Sequence, residues 1–269
     1  MKTTQTTTGT LCIIFALLLR VLPGTSHANL NGSDNFNDNS KDLTKWGTDF
    51  ADPTVVLGTL TETNQRLQYS ATGIPSQEQA VRPWIANTGS YTSDWNVQMD
   101  VNVPILTLGA GQRIQFDLVV WNGADVSDNL DLNLRQDSIQ GRGFHSNLRT
   151  NAVVQASGPI ASTTPLTLAA IRIRYDAAST TLFAEWAVVG TNSFTTFDSR
   201  DVAAAGWGMN ASSVFGVGAA GGSRGSLAVS SSDNVSGDNF VATPEPTTLA
   251  LAAMGSLAFL GRNTRPRRK

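Results

Sequence analysis

An all-β domain, folded as an antiparallel two-sheet sandwich, is what this sequence predicts. Three observations carry that prediction. Apolar and polar residues alternate with period two through the middle of the chain, turn residues separate the alternating runs, and long helical periodicity is confined to the two ends.

The first element is a leader. Lys2 precedes an apolar core over residues 11–19, Pro23 and Gly24 break it, and Ser26-His27-Ala28 has the small-x-small pattern of a cleavage site. A signal helix is expected over residues 1–28, with cleavage after Ala28 leaving Asn29 first. Arg20 sits awkwardly late in this segment, and Cys12 lacks the flanks of a lipidated cysteine.

The strands follow. In residues 95–103, Trp95, Val97, Met99, Val101 and Val103 share one face and Asn96, Gln98, Asp100 and Asn102 the other. Ile114, Phe116, Leu118 and Val120 form the apolar face of the next run, ended by Asn122-Gly123. Leu130, Leu132 and Leu134 alternate with Asn129, Asp131, Asn133 and Arg135. Ile171, Ile173 and Tyr175 precede the turn residues 176–179, and a strand over 182–189 completes a hairpin. A slip of one residue would invert each face, so the register is well determined. A dry face paired with a wet one is the signature of antiparallel sheets. A short helical turn is expected near 201–206. The glycine-rich stretch 216–225 lacks a phosphate-loop lysine and reads as a strand over 214–218 followed by a loop.

Charge and cysteine change once the ends are set aside. Of 19 Lys and Arg, two lie in the leader and five after residue 261, leaving 12 against 21 Asp and Glu over residues 29–261, a net of −9 where the whole chain shows −2. Such a surface disfavours nucleic acid and anionic polymers. The single cysteine lies in the leader, so no internal disulfide is expected and a packed core must supply stability. One sandwich domain over residues 29–242 is long enough to do so.

The tail is the most specific motif. Thr243-Pro244-Glu245-Pro246 is followed by 13 largely apolar residues, 249–261, and then by Arg262, Arg265, Arg267, Arg268 and Lys269. The apolar run spans roughly 20 Å as a helix, short of the ~30 Å hydrocarbon core. This order resembles the PEP-CTERM sorting signal, which defines residues 243–269 as a separate segment with a short hydrophobic helix. A plain tail anchor or an amphipathic helix are the alternatives. The resemblance implies transient membrane insertion and processing at Pro244-Glu245-Pro246 by an exosortase-type transpeptidase. It also implies export to the cell envelope, outer surface or extracellular matrix of a Gram-negative-type bacterium that makes extracellular polysaccharide.

A second resemblance covers residues 33–242. Asp34-Asn35-Phe36-Asn37-Asp38-Asn39-Ser40, then Asp42 and Lys45-Trp46, resembles the opening strand of concanavalin A-like (laminin G-like) jelly-roll sandwiches. Ser236-Gly237-Asp238-Asn239-Phe240 resembles their closing strand, and residues 166–186 their central hairpin. A different jelly roll is the competing reading. Either places the first and last strands side by side, with Phe36 and Phe240 near neighbours. The resemblance also implies a calcium ion near the paired terminal strands, with Asp34 and Asp238 the residues to test. Asx-turn chemistry is the alternative role for them.

Catalytic residues are scarce. Glu62, Glu78 and Glu185 are the only glutamates between leader and sorting signal, and the Glu-x-Asp-x-x-Glu string of sandwich-fold glycosidases is absent. Glu185 with a neighbouring aspartate is the one pair to consider. His145 reads as a surface loop residue, and one histidine without cysteine makes no zinc site. Glycan contact points instead to Trp121, which shares a face with Gln115, Asp117 and Val119, near Asp100 and Asn133 if strands neighbour in order. Trp84, after Pro83, is a second exposed candidate. A non-enzymatic envelope or matrix protein with a lectin-like face toward polysaccharide is the leading reading. A structural or adhesive module without small ligand is the alternative, and a glycan-active hydrolase or lyase the second. If both ends act as signals, intact mass of the secreted protein will fit a chain starting at Asn29 and lacking the Arg262–Lys269 tail. A retained tail contradicts the sorting reading.

Overall fold

The computed structural model describes residues 30–51, 55–158 and 166–244. Ala28, Glu245, Pro246, Arg262, Arg265, Arg267 and Arg268 lie outside them, as do both expected end helices. The strands are β1 (Gly32–Asp34), β2 (Val56–Leu57), β3 (Thr59–Thr63), β4 (Arg66–Thr72), β5 (Glu78–Ser90), β6 (Trp95–Asn102), β7 (Arg113–Asn122) and β8 (Asp125–Asp137). They continue as β9 (Gly141–Thr150), β10 (Val153–Ser157), β11 (Leu168–Asp176), β12 (Thr181–Ala187), β13 (Thr195–Asp201), β14 (Val214–Arg224), β15 (Ala228–Val229) and β16 (Ser236–Pro244).

Two sheets form. One runs β13-β12-β11-β6-β16-β4-β15, with β1 on β16 and β3 on β4; the other runs β10-β9-β8-β7-β14-β5-β2. Every pairing is antiparallel except β2 on β5. The alternation places the core. Ile114, Phe116, Leu118 and Val120 of β7 and Leu130, Leu132 and Leu134 of β8 are buried against Val97, Met99 and Val101 of β6 and Ile171 and Ile173 of β11. Each such side chain contributes on the order of 2 kcal/mol by leaving water.

The chain ends meet as expected. Asp34 of β1 pairs with Phe240 of β16. Trp46 links Phe36, at 5.7 Å, to Phe240, at 4.9 Å between ring centres. Trp84 completes the cluster 5.0 Å from both Trp46 and Phe240. This corrects the expectation that Trp84 is exposed; it is 3% exposed. β5 runs straight through Pro83, so Ala80, Arg82 and Trp84 all turn inward. Pro83 instead offers its carbonyl to Gly47 N–H at 2.9 Å.

β14 corrects a second expectation. Its glycines are strand and not loop, paired to β7 from Phe215 through Arg224. They are there for space. A Cβ on Gly221 would stand 2.4 Å from the Tyr69 ring, and one on Gly216 would stand 2.2 Å from the Trp121 indole. Residues 202–206 form hydrogen-bonded turns rather than a helix. Phe240→Ala is expected to cost about 3–5 kcal/mol in chemical denaturation, because it empties the aromatic cluster joining the chain ends. A loss below about 1 kcal/mol would mean that the closing strand is not packed as described.

Candidate functional site

The outer face of the seven-stranded sheet is polar along much of β7, β8 and β9, with an apolar cluster of Val81, Val119, Trp121 and Ala220 beside it. Because Ile114, Phe116 and Leu118 point inward, Arg113, Gln115 and Asp117 of β7 point outward. The same alternation turns Asp131, Asn133 and Arg135 of β8 and His145 and Asn147 of β9 to that side. Register aligns them in rows across the sheet. One row is Ala220, Asp117, Asn133, His145; the next is Gly222, Gln115, Arg135, Gly143; the last is Arg224, Arg113, Asp137, Gly141. β14 gives the middle of this face no side chain larger than that of Ala220, and Ala220, Asp117 and Asn133 are fully buried there.

Some of these groups hold each other. Gln115 donates to Asp117 Oδ1 at 2.8 Å. Asp131 is fixed on three sides: Asn133 and Asn147 donate to Oδ1 at 2.9 and 2.8 Å, and Arg149 to Oδ2 at 2.7 Å. Other atoms have no protein partner. Ten buried side-chain polar atoms lack a hydrogen bond among the described residues, and seven belong to this face. They are Gln115 Oε1, Asp117 Oδ2, Asn133 Oδ1, His145 Nδ1 and the Nε atoms of Arg113, Arg135 and Arg224. Leaving such an atom unpaired costs roughly 1–3 kcal/mol, and folded proteins carry few of them. Seven of the ten are concentrated on this one face.

Ionisation follows from this burial. Burial, reinforced by Asp131, pushes the Asp117 carboxyl well above the usual carboxylate range, against the pull of Gln115 and Arg113. Burial first, and then Arg135, lower His145 to about 4, so its ring is neutral at physiological pH. Burial and the neighbouring Arg224 and Arg135 lower Arg113 to about 10.

The residues singled out from sequence divide. Gln115, Asp117 and Asn133 share this face. Trp121 is on it too, but at 9% exposed it lies flat over Gly216 beneath Phe50, in T-shaped contact at 6.1 Å. It closes one end of the face rather than offering a free ring. Asp100 is not near Asn133. Its strand, β6, belongs to the other sheet, where Asp100 pairs with Asp238 and accepts from Asn239 at 2.9 Å. Strand order does not follow chain order there.

Asp34 and Asp238, the residues singled out for calcium, both accept hydrogen bonds within the protein. Asp34 Oδ1 accepts Phe36 N–H and Oδ2 accepts Trp46 Nε1–H, both at 2.9 Å, so the carboxylate is spent on an Asx turn and an indole. Asp238 instead lies opposite Asp100. Among the described residues no three His, Cys, Asp or Glu gather as a metal site. The glutamates are structural as well. Glu62 pairs with Arg82 at 2.8 Å, Glu185 with Arg172 at 2.6 Å, and Glu78 caps the backbone of residues 72–74.

His145 is corrected: it is 5% exposed and sits within β9 rather than in a loop. It, Asp131 and the three arginines were missed as site residues. The signal for His145 was the inward run Phe144, Ser146, Leu148, which turns His145, Asn147 and Arg149 outward.

Residues 242–268 match the PEP-CTERM protein-sorting motif. The chain carries that motif on a concanavalin A-like sandwich. The motif directs the sandwich to export and the cell surface. Lectin UEA-II complexed with galactose is similar at 10% identity, over 80% of this chain and 99% of that one, with a TM-score of 0.51. Lectin I from Ulex europaeus, in complex with the methyl glycoside of α-L-fucose, is similar at 14% identity, over 79% of this chain and 98% of that one, with a TM-score of 0.50. A xylan β-1,4-xylosidase from Bacillus halodurans is 15% identical with a TM-score of 0.48; the match covers 78% of this chain and 38% of that one. No curated protein sequence matches this chain.

Asp117→Asn removes a carboxyl that folding favours in its protonated form. The wild-type penalty is absent below the unfolded aspartate pKa and grows as pH rises above it. The variant is therefore expected to melt about 2–4 °C higher near pH 8 and to equal wild type near pH 4. His145 has the opposite sign: its depressed pKa removes stability as pH falls from 6.5 toward about 4, and His145→Gln flattens that limb. Parallel melting curves across pH for wild type and variants would contradict both assignments.

Proposed function

We propose that this is a non-enzymatic carbohydrate-binding protein of the cell envelope or extracellular matrix, which holds a polysaccharide against the outer face of its seven-stranded sheet. The observation that carries this reading is the set of buried oxygens without a hydrogen bond among the described residues, Gln115 Oε1, Asp117 Oδ2 and Asn133 Oδ1, on neighbouring positions of that face. Sugar hydroxyls are donors and acceptors together, and planar amides and carboxyls meet them at fixed angles. Lectins with the same sandwich fold are known bound to galactose and to a fucose glycoside. The sorting motif fits a surface destination, with an exosortase-type transpeptidase in a Gram-negative-type envelope processing the tail. A purely structural module gives no reason to leave these oxygens without partners.

One observation favours a second reading, a glycan-active hydrolase or lyase. Asp117 and Asp131 lie on adjacent strands of the same face. Asp117 is held toward its protonated form, while Asp131 is surrounded by donors. Neighbouring carboxyls with opposed environments are the pattern of an acid and its partner.

On a broad glycan array the exported protein is expected to bind, with Gln115→Ala and Asn133→Ala each weakening affinity roughly 5–30-fold. Trp121→Ala is expected to lower stability more than affinity. No binding to any glycan sinks the lectin reading. Release of reducing or unsaturated ends from a bound glycan, lost in Asp117→Asn, replaces it with the enzymatic one.

A further inference from the structure

Resting on the carbohydrate-binding reading, we infer that the glycan is acidic and that the oxyanion on one of its sugars enters a cavity lined by Arg113, Arg135 and Arg224. The cavity, about 270 Å³, opens at the end of the polar face away from Trp121, with Asp137, His145 and Asn147 also in its wall. Arg224 and Arg113 are direct cross-strand partners, and Arg135 follows on the next strand beside Asp137. Like charges placed directly opposite destabilise a sheet, so this arrangement needs a counter-charge.

Among the described residues one carboxylate, Asp137, lines the cavity, and it is already occupied. Asp137 Oδ1 accepts the Ile139 and Gln140 N–H groups at 2.8 and 3.1 Å, and its Oδ2 accepts Arg224 at 3.0 Å. Arg113 meets only the Gln77 amide, at 3.4 Å, and Arg135 only the Gln140 amide among the described residues. Arg135 is 2% exposed, and its Nε has no hydrogen bond. All three arginines line one cavity, and each keeps a buried Nε–H without a hydrogen bond among the described residues.

A guanidinium fork matches carboxylate and related oxyanions in two-point geometry, and such charge-assisted bonds are the strong ones. The acceptors Gln115, Asp117 and Asn133 lie next along the same face and suit the ring hydroxyls of a sugar whose charge sits at the arginine end. The negative charge of the whole domain acts at long range and is screened within about 10 Å at ordinary salt. It does not cancel three arginines in one cavity.

The test uses calorimetry on the exported protein with three probes of equal length: an oligouronate, the same oligosaccharide after carboxyl reduction, and a sulfated oligosaccharide. The oligouronate is expected to bind at least 10-fold more tightly than its reduced form. Arg135→Gln and the more exposed Arg224→Gln are expected to remove most of that difference while leaving affinity for the reduced form within about 2-fold. A preference for the sulfated probe, lost in the same variants, supports the cavity with sulfate as the oxyanion. Equal affinity for the oligouronate and its reduced form overturns this inference and leaves the carbohydrate-binding reading standing. No binding of any probe to correctly folded wild type counts against both.

Discussion

The two-faced character of strands β7, β8 and β9 is the constraint on which the rest of the molecule depends. A residue on these strands points either into the space between the sheets or away from it, with no intermediate choice. Packing Ile114, Phe116, Leu118, Leu130, Leu132, Leu134 and Phe144 inward commits Gln115, Asp117, Asp131, Asn133, Arg135 and His145 to the opposite face. The dry side supplies the stability; the wet side carries polar atoms whose partners are incomplete. A face of this kind survives because the core behind it outweighs the cost of its unpaired groups. The same rigid backing holds those groups on strands rather than loops, which suits recognition of a fixed sugar geometry.

The sandwich closes around its own termini. β1 and β16 lie side by side, and Phe36, Trp46, Trp84 and Phe240 form one aromatic cluster beneath them. On the same side of β5, two residues before Trp84, the buried Arg82 binds both oxygens of Asp49, and also Glu62 and the Leu60 carbonyl. This ties the loop before β2 and the strand β3 to β5. Such a pair adds geometric definition more than net stability, since desolvating its charges offsets most of the attraction. Together these contacts do the work that disulfides do in many exported domains, and they bring the chain out at Pro244, the first residue of the Pro-Glu-Pro element.

Much of this was legible from sequence where a single local rule decides the outcome. Period-two alternation gave the inward faces of β6, β7, β8 and β11 and put Gln115, Asp117 and Asn133 on one surface. It did not give strand order, and so it placed Asp100 beside Asn133 when the two occupy different sheets. Trp84 follows Pro83 yet is buried, because β5 accommodates Pro83 at a position that needs only its carbonyl. The glycine-rich β14 was misread because its glycines answer to Tyr69 and Trp121, side chains on other strands. The site was half visible for the same reason. Arg113, Arg135 and Arg224 lie far apart in the chain, and only sheet register brings them to one cavity.

The central claim is that the outer face of the seven-stranded sheet is a glycan-binding surface. A crystal structure of the exported protein with a bound oligosaccharide tests it most directly. Sugar hydroxyls are expected against Gln115 Oε1, Asp117 Oδ2 and Asn133 Oδ1, with the charged end of the glycan toward Arg113 and Arg135. An oligosaccharide seated on the nine-stranded sheet or on the loops, with those three oxygens untouched, would contradict it.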